Sequence, residues 1–402
     1  MKSVPKSLRL QIGFFGRRNV GKSSLLNAIT QQQVSIVSDQ AGTTTDPIEK
    51  PMELVPLGPV LLIDTAGMDD EGELGKLRMQ RSKSMLDRVD FGILVTEAES
   101  WGPHEDSLIS ELQKRSVQAL VVVNKADLNA PSQDYLSRIE SKGCVAVVCS
   151  TTNGDGLAKV MESILRLAPA SHFEGRRLAS DIVDAGQVAL LVVPIDSQAP
   201  KGRLILPQAM TIRDLIDNGS IPMVCPLEGI STALGSLRAP PAIVITDSQA
   251  FSAVSNEISE TVPMTSFSIL MARFQGDLEE MAKGAVSIST LKEGDAVLIA
   301  ETCSHHPAED DIGRVKIPSL LTKYVGAPLN FIHIHGRDFP LDLSPYSLVV
   351  HCGNCTGNRR EMLSRIFRCR EAGIPITNYG LAIAYSLGIF ERALKPFVGP
   401  SE

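Results

Sequence analysis

The sequence predicts an α/β fold, with an N-terminal domain built on a mainly parallel sheet and two smaller α/β domains after it. Short, almost wholly apolar runs such as LQIGFF and ALVVVN alternate with helical stretches through residues 9–165. This alternation is typical of a parallel sheet covered by helices on both faces. A glycine-rich loop joins the first apolar run to the first helix, and the α/β alternation returns in residues 178–264.

Length and composition set the number of domains. The chain has 402 residues, of which 43% are hydrophobic and 21% are charged, and these values are typical of a globular protein with two or three domains. The stretch RLAPASHFEGRR, at 166–177, indicates the exit from the first domain. We therefore place the domains at 1–172, 173–264 and 265–402, and we interpret the middle domain as a module whose exposed surface serves for pairing.

Charge and hydropathy exclude several classes of protein. The net charge of −7 argues against extended nucleic-acid binding. The first ten residues, MKSVPKSLRL, lack the apolar core of a secretory signal. Apolar runs such as VALLVVPI are far shorter than the ~20 residues that a membrane span needs. We expect a cytoplasmic protein whose seven cysteines are free thiols or metal ligands.

The glycine-rich loop GRRNVGKS satisfies the G-x-x-x-x-G-K-S pattern of a phosphate-binding loop. Its glycines let backbone N–H groups point at phosphates, and the helix N-terminus that follows favours their negative charge. We expect the Lys22 ammonium to bind the β- and γ-phosphates and the Ser23 hydroxyl to bind Mg²⁺. The predicted nucleotide contacts in this loop are Gly16, Asn19, Gly21, Lys22, Ser23 and Ser24.

Two further motifs of a nucleotide switch follow in order. The sequence AGTTTD, at 41–46, resembles a first switch segment, and Thr44 is the best candidate for a second Mg²⁺ hydroxyl, with Thr43 as the alternative. The sequence DTAG, at 64–67, ends an apolar run. Asp64 is placed there to hold Mg²⁺ through water, and the Gly67 N–H to sense the γ-phosphate. We assign the catalytic contacts to Lys22, Asp64 and Gly67.

The base specificity is carried by NKAD, at 124–127, and by CST, at 149–151. An ionised Asp127 can accept both N–H groups on the edge of guanine, a contact that adenine cannot supply. Asn124 and Lys125 brace that loop, and Ser150 and Thr151 form the last loop on the guanine side. Because all the motifs occur in the right order, several of them at the ends of strands, the sequence predicts a GTPase that binds GTP or GDP.

Two details refine this prediction. Met68 stands where many switches carry a glutamine that orients the attacking water, so slow intrinsic hydrolysis is expected. GRRNVGKSS together with GTTTD resembles the tRNA-modification and ribosome-assembly branch of the translation-factor-like GTPases. In that branch the asparagine matching Asn19 helps hold a K⁺ ion beside the phosphates, which implies hydrolysis that K⁺ stimulates.

The third unit carries a candidate metal centre in CSH, at 303–305, and HCGNC, at 351–355. Cys303, Cys352 and Cys355, with His305 or His351 nearby, fit a closed Cys3His zinc site or an iron–sulfur cluster with one exchangeable corner. A buried pair of free cysteines and a redox dithiol remain open alternatives. The sequence HIH contains His333 and His335, which share a face if they lie on a strand. We interpret the remaining thiols as structural: Cys144, Cys149, Cys225 and Cys369.

The later motifs resemble one family closely. CSH…HCGNC…NRREMLSRI, PKGRLILPQ…TIRDLID and TNYGLAIAY resemble the HydF family, the GTPase scaffold of FeFe-hydrogenase maturation. The resemblance implies a GTPase domain joined to a dimerisation domain and a cluster-binding domain. It implies that Cys303, Cys352 and Cys355 hold a 4Fe-4S cluster whose fourth ligand varies, with His305 and His351 as possible ligands.

The resemblance also implies partners and a role. Such a homodimeric scaffold assembles the two-iron precursor of the hydrogenase active site, receives material from two radical-SAM enzymes and passes the precursor to the FeFe-hydrogenase catalytic subunit. No nucleic acid or membrane is expected as a partner. The alternatives are a redox-sensing GTPase and a tRNA- or ribosome-associated GTPase with a zinc-stabilised C-terminal module. The second is kept open by five arginines: Arg359, Arg360, Arg365, Arg368 and Arg370.

Overall fold

The computed structural model describes most of the chain, and it divides into two compact units. The described residues are 8–30, 48–55, 57–65, 85–169, 176–195, 201–302, 311–336 and 338–398. Unit 1 comprises residues 1–175 and unit 2 residues 176–402. Within the described residues, none of the helices has the length and apolar character that crossing a membrane requires. The predicted domain boundaries at 172 and 264 stay predictions.

Unit 1 is built on a six-stranded sheet in the order β2-β3-β1-β4-β5-β6, in which only β2 runs antiparallel to its neighbour. Its strands are β1 (Leu10–Phe15), β2 (Ile48–Leu54), β3 (Gly58–Asp64), β4 (Phe91–Glu97), β5 (Gln118–Asn124) and β6 (Val145–Val148). Its helices are α1 (Lys22–Thr30), α2 (Pro103–Lys114), α3 (Gln133–Glu140) and α4 (Leu157–Leu167). The mainly parallel sheet predicted from the apolar runs is thereby confirmed.

Helices cover both faces of this sheet, which explains why its central strands are apolar throughout. Ile12 and Phe14 pack with α1 and α4 on one face, whereas Phe15 and Leu61 pack with α2 and α3 on the other. Every residue of β1 is buried. Full burial of side chains such as Phe14 contributes about 1.5–3 kcal/mol each to folding, so the strand ends that carry the motifs are rigidly placed.

Unit 2 contains two four-stranded sheets, and every strand pair in them is parallel. The first has the order β10-β9-β7-β8, and the second has the order β12-β11-β13-β14. The strands are β7 (Val188–Val192), β8 (Ile221–Cys225), β9 (Ile243–Thr246), β10 (Met264–Ser266), β11 (Ala296–Glu301), β12 (Asn330–His335), β13 (Leu348–His351) and β14 (Ile376–Asn378).

The helices of unit 2 join the two sheets through one apolar core. They are α5 (Leu206–Asp217), α6 (Ile230–Gly235), α7 (Phe251–Glu257), α8 (Phe267–Gln275), α9 (Leu278–Val286), α10 (Ile317–Val325), α11 (Arg359–Glu371), α12 (Tyr379–Ser386) and α13 (Phe390–Leu394). Buried residues of both sheets, such as Val244 and Val349, belong to the same core cluster. The TNYG motif forms part of this junction, because the Asn378 side chain donates to the Ser268 carbonyl over 2.7 Å.

The sheet orders fix where ligands can bind. In an open α/β sheet, a crevice forms at the carboxyl ends of two neighbouring strands whose connections leave in opposite directions. In unit 1 this point lies between β1 and β4, and the phosphate loop follows β1. In the second sheet of unit 2 it lies between β11 and β13, and Cys352 directly follows β13. Both candidate sites therefore lie at topological switch points.

Candidate functional site

The phosphate loop is pressed against the ends of the neighbouring strands. Gly16 has φ +137°, and a Cβ there would lie 2.1 Å from the Val95 carbonyl oxygen of β4. Gly21 has φ +92°, and a Cβ there would lie 2.2 Å from the Asn124 side-chain nitrogen. Only glycine combines this positive φ with the lack of a side chain. Both glycines of the motif are thus required, because atoms of Val95 and Asn124 lie too close to the loop backbone to leave room for a side chain.

Two side chains predicted to contact the phosphates or Mg²⁺ lie at the start of α1, and they are Lys22 and Ser23. Lys22 is buried, and its ammonium donates to the Gly16 carbonyl over 3.0 Å and to the Arg17 carbonyl over 2.5 Å. The Ser23 hydroxyl donates to the Asp64 carboxylate over 2.6 Å. Hydroxyl and carboxylate oxygens at this separation can both bind one Mg²⁺ ion or its water shell. The structure therefore brings together Lys22, Ser23 and Asp64 as the motif order predicts.

The residues predicted to bind guanine also converge. The Asn124 amide donates to the Val20 carbonyl over 3.0 Å, and its side-chain oxygen accepts from the Thr151 N–H over 3.1 Å. The Ser150 hydroxyl donates to the Asp127 carboxylate over 2.5 Å. Asn124 thus ties the phosphate loop to the last guanine loop, and Ser150 orients the carboxylate that would read the base.

The other predicted nucleotide contacts are only partly described. Asn19 is exposed on the phosphate loop with φ +60°, and Ser24 is half-buried in α1. Lys125 has φ +58°, and its ammonium lies 2.6 Å from the Glu97 carboxylate. Four other residues singled out from the sequence lie outside the described residues: Thr43, Thr44, Gly67 and Met68.

The sequence motifs missed one carboxylate beside the nucleotide site. Glu105, in the first turn of α2, binds the Arg17 guanidinium through two hydrogen bonds of 2.8 and 2.7 Å. It also accepts the Gly102 N–H over 2.8 Å. The sequence around Glu105 indicates only the start of a helix, because Gly-Pro is followed by an acidic residue. The partner on the phosphate loop is 88 residues away and belongs to no shared motif.

The candidate metal centre is built where β11 and β13 end side by side. The Cys352 N–H donates to the Ala300 carbonyl over 2.9 Å, which continues the β11–β13 pairing. The Thr302 N–H donates to the Cys352 sulfur over 3.3 Å. The Thr302 hydroxyl donates to the Asn354 side-chain oxygen over 2.8 Å. Thr302 therefore fixes both the first cysteine of the CxxC sequence and the loop that follows it.

The loop between Cys352 and Cys355 turns at Asn354, whose backbone is left-handed. Asn354 has φ +52° and is buried, and its amide donates to the Asn358 carbonyl over 2.9 Å. Burial raises the pKa of the Cys352 thiol, and burial together with the neighbouring Cys352 raises the pKa of Cys355. A cation between the two sulfurs would reverse this effect, since thiolates are the metal-binding form.

His351 is tied into a buried network. Its Nδ1 donates to the Cys352 carbonyl over 2.7 Å, and its Nε2 accepts from Arg365 over 2.8 Å. Burial, followed by the charge of Arg365, lowers the pKa of His351 to about 3. Arg365 is itself buried and also donates to the Gly336 carbonyl and to Glu361. In this arrangement His351 is a neutral residue with both ring nitrogens engaged.

The remaining candidates separate into different environments. Cys303 and His305 lie outside the described residues, and no group of three Cys, His, Asp or Glu that could hold a metal occurs within them. His333 lies 3.1 Å from the Gly313 carbonyl, and His335 lies between Glu301 and Arg314. Both histidines are thus engaged on the strand β12.

The thiols interpreted as structural are all buried: Cys144, Cys149, Cys225 and Cys369. Burial raises the pKa of Cys369 to about 12 and that of Cys149 to about 11. Such thiols stay protonated at neutral pH and behave as small apolar groups. Their environment agrees with a packing role.

Three arginines of α11 are used inside unit 2. Arg359 donates to the carbonyls of Phe274 and Gly276, over 3.1 and 2.7 Å. Arg368 donates to the Pro340 carbonyl, and Arg365 is buried. Arg370 is exposed and lies over the Phe367 ring. Most of the side chains that suggested a basic face therefore stabilise the fold.

Sequence models of three domains match the chain. The Hydrogen maturase F dimerization domain matches residues 178–276, and the Hydrogen maturase F tetramerization domain matches residues 279–396. The model named 50S ribosome-binding GTPase matches residues 11–125. The chain is also similar to curated GTPases over about two fifths of its length.

Two such relatives are a tRNA modification GTPase MnmE and a GTPase Era. The MnmE of Alkaliphilus metalliredigens is 38% identical over 168 residues, 41% of this chain and 35% of the relative. The Era of Carboxydothermus hydrogenoformans is 34% identical over 164 residues, 39% of this chain and 55% of the relative. The chain thus spans only about a third to a half of the length of these relatives.

Solved structures are also similar to part of the chain. An Era variant of Aquifex aeolicus bound to GDP and AlF4⁻ aligns with a TM-score of 0.37 and 18% identity, covering 56% of this chain and 97% of that one. The G domain of the T. maritima FeoB iron transporter aligns with a TM-score of 0.30 and 24% identity, covering 39% of this chain and 98% of that one.

Proposed function

This chain belongs to the Hydrogen maturase F (HydF) family, and from that premise we propose that it is a GTP-hydrolysing scaffold of FeFe-hydrogenase maturation. In this proposal it binds a 4Fe-4S cluster, assembles the two-iron precursor of the hydrogenase active site and transfers it to the hydrogenase catalytic subunit. Two radical-SAM enzymes deliver the material. The scaffold works in the cytoplasm as a homo-oligomer.

The contact between Thr302 and Cys352 is the observation that carries the cluster assignment. Thr302 is the residue directly before Cys303 in the sequence. The Thr302 N–H donates to the Cys352 sulfur, so the chain reaches the CxxC loop one residue before the third cysteine of the proposed set. We propose that Cys303, Cys352 and Cys355 are the three thiolate ligands.

The surroundings of the sulfurs fit such a group. A backbone N–H directed at Cys352 is the kind of hydrogen bond that tunes cluster sulfurs. Since both ring nitrogens of His351 are engaged, we propose that this residue positions the loop and is not a ligand. Three thiolates would hold three irons of the cluster and leave the fourth iron with a weaker ligand, which an incoming donor could displace.

At the nucleotide site, each residue has a proposed task. The Lys22 ammonium leaves its two carbonyl acceptors to bind the β- and γ-phosphates. Ser23 and Asp64 hold Mg²⁺, with Thr44 completing the hydroxyl ligands. Asp127, oriented by Ser150, reads guanine. We propose that K⁺, held partly by Asn19, stimulates hydrolysis, since Met68 has no polar group to orient water.

Assembly of the scaffold is proposed to use an edge of the first sheet in unit 2. The family models place a dimerisation and a tetramerisation domain in this unit. Strand β8 is at the edge of its sheet, and Ile221 and Val224 on it are about half exposed. An edge strand with exposed apolar side chains is suited to pairing with a second chain. We propose that β8 lies in the dimer interface.

Elemental analysis of anaerobically purified and reconstituted protein tests the proposed function. Iron and acid-labile sulfide at about four of each per chain, with a visible absorption band and an EPR signal after reduction, are the expected result. One zinc per chain would instead support the tRNA- or ribosome-associated alternative. Protein that binds no metal would support the dithiol alternative. Either outcome would overturn the scaffold proposal.

The K⁺ proposal has a separate test. GTP hydrolysis is measured in KCl and in NaCl at equal ionic strength, with Asn19→Ala as the comparison. We expect faster hydrolysis in K⁺ and loss of this difference in the variant, because the side-chain oxygen of Asn19 is the proposed protein ligand. Equal rates of the wild type in the two salts would leave Asn19 as an ordinary loop residue.

A further inference from the structure

An ion pair joins the phosphate loop to the start of helix α2. The Arg17 Nε and a terminal guanidinium nitrogen donate to the two carboxylate oxygens of Glu105, over 2.8 and 2.7 Å. This bidentate geometry is the strongest and most directional form of an arginine–carboxylate contact. Arg17 is the residue after Gly16 in the phosphate loop, so the pair acts directly on the loop.

The carboxylate is fixed before it meets the arginine. The Glu105 side chain is only 2% exposed, and the Gly102 N–H donates to it over 2.8 Å. A Cβ on Gly102 would lie 2.8 Å from the Arg17 guanidinium, so the absence of a side chain there leaves room for the pair. The start of α2 thus holds Glu105 in a fixed position for binding the Arg17 side chain.

The main chain of Arg17 reaches the proposed phosphate ligand. Its carbonyl accepts from the Lys22 ammonium over 2.5 Å, while Gly16 packs on the Val95 carbonyl of β4. At the other end of the loop, the Val20 carbonyl is held by Asn124. The loop is therefore braced at both ends, and one of these braces runs from Arg17 to Glu105, a residue that belongs to none of the nucleotide motifs.

We propose that Glu105 is a positioning residue for the nucleotide site: through Arg17, it holds the phosphate loop in the form that receives the β-phosphate. Glu105 does not itself touch the nucleotide. This inference rests on the proposed binding of GTP and adds a residue that determines affinity. Because GDP and GTP share the β-phosphate, the effect applies to both nucleotides.

Glu105→Gln tests the inference, since it keeps the size of the side chain and removes its charge. The dissociation constants of fluorescent GDP and GTP analogues and the single-turnover hydrolysis rate are measured in the full chain. We expect roughly tenfold weaker binding of both nucleotides, which corresponds to about 1.4 kcal/mol. The rate at saturating GTP should change much less, because the loop is restored once the nucleotide is bound.

A matched control lies on the same helix. Glu111 pairs with Arg115 over 2.6 Å, and Glu111→Gln should leave both dissociation constants unchanged. Arg17→Lys is the second variant: it keeps a positive charge beside Glu105 but loses the bidentate fork, and we expect an intermediate loss of affinity. Melting temperatures of all variants separate a folding defect from a local effect.

The outcomes distinguish this inference from the proposed function. If the wild type binds guanine nucleotides and both Glu105→Gln and Arg17→Lys bind them within twofold of the wild type, the positioning role is wrong and GTP binding stands. If the wild type binds no guanine nucleotide, the proposed function fails first. A lower melting temperature with unchanged affinity would assign the pair to stability alone and would also overturn the inference.

Discussion

The proposed guanine contact depends on the Asp127 carboxylate, which Ser150 orients in the structure. Asp127 accepts from Ser150 over 2.5 Å, at the end of the loop that Asn124 braces. In Asp127→Asn an amide replaces the acceptor, and an amide pairs with the oxygen that xanthine carries in place of the guanine amino group. We expect GTP turnover to fall and xanthosine triphosphate turnover to appear.

Steady-state turnover of the two triphosphates measures this change in specificity. Asp155→Asn is a suitable control, because the exposed Asp155 carboxylate accepts from the Asn153 side chain and does not reach Asp127 in the described contacts. Normal GTP turnover in Asp127→Asn, without use of the xanthine nucleotide, would show that the base pocket lies elsewhere.

At the residue scale, side chains that are proposed to contact a ligand can be predicted from the sequence more readily than the side chains that position them. Asn124 and Asp127 are placed by short motifs whose spacing reflects one loop. Glu105 and Arg365 act on residues 88 and 14 positions away, on different elements. Their partners become neighbours only through the sheet order, which no local pattern contains.

Helix α11 shows at the element scale how a basic pattern can be structural. Arg365 is buried and bonds His351, Glu361 and the Gly336 carbonyl. Removing one member of a buried charged network leaves the other uncompensated, at a cost of about 3–5 kcal/mol. We expect Arg365→Gln to destabilise unit 2 by an amount of this order.

Urea unfolding of the metal-free protein, followed by circular dichroism, measures the change. Arg370→Gln lies on the same helix at an exposed position and should shift stability by no more than ~0.5 kcal/mol. Equal stability of the two variants would show that the Arg365 network is weak. Arg359 and Arg368 on the same helix also bond backbone carbonyls, so they contribute to the fold of unit 2.

Strand β8 gives the second prediction at this scale. Val224 is 46% exposed on the edge strand of its sheet. A lysine in an interface would bury a charge without a partner, whereas on a free edge it would be harmless. We expect Val224→Lys to shift the protein toward monomer in sedimentation or light scattering.

Leu128→Lys is the matched control for Val224→Lys, because Leu128 is 79% exposed and belongs to unit 1, whereas β8 belongs to unit 2. It should leave the oligomeric state unchanged. If Val224→Lys keeps the mass of the wild type, β8 does not form the pairing surface.

The elements themselves were predictable where the chain is apolar throughout. The apolar runs LQIGFF and ALVVVN lie in strands β1 and β5, and a helix follows the glycine-rich loop, as the sequence predicts. Strand β2 was not predicted, because IEKPMEL contains a proline and three charges and lies at a sheet edge. The three-residue strands β10 and β14 are too short to show any periodicity.

At the scale of the whole molecule, the sequence predicts two chemistries on one chain, and the structure assigns their described residues to different units. Lys22, Asp64 and Asp127 belong to unit 1, whereas Cys352 and Cys355 belong to unit 2. Each unit has its own core clusters. Loading of either site should therefore not require the other, even if transfer of the precursor needs both.

Two single variants test this independence. Lys22→Ala removes the ammonium that donates to two backbone carbonyls and is proposed to exchange them for the phosphates. It should therefore lose most nucleotide affinity, while iron and sulfide loading stays at the wild-type level. Cys352→Ser removes a proposed thiolate and should abolish stable loading while nucleotide affinity is retained. Cys369→Ser, a buried thiol on α11, is the control for cysteine replacement as such and should keep both.

The cross-measurement decides the outcome, because each variant is assayed for both iron content and GDP binding. Loss of iron in Lys22→Ala, or of GDP binding in Cys352→Ser, would show that each site needs the other in order to form. Hydrogenase activation should fail in both variants, for different reasons. Lys22→Ala should carry the cluster without binding nucleotide, whereas Cys352→Ser should bind nucleotide without carrying the cluster. A Cys369→Ser variant that loses its iron would make the centre a four-thiolate site, and the exchangeable corner on which transfer depends would then be wrong.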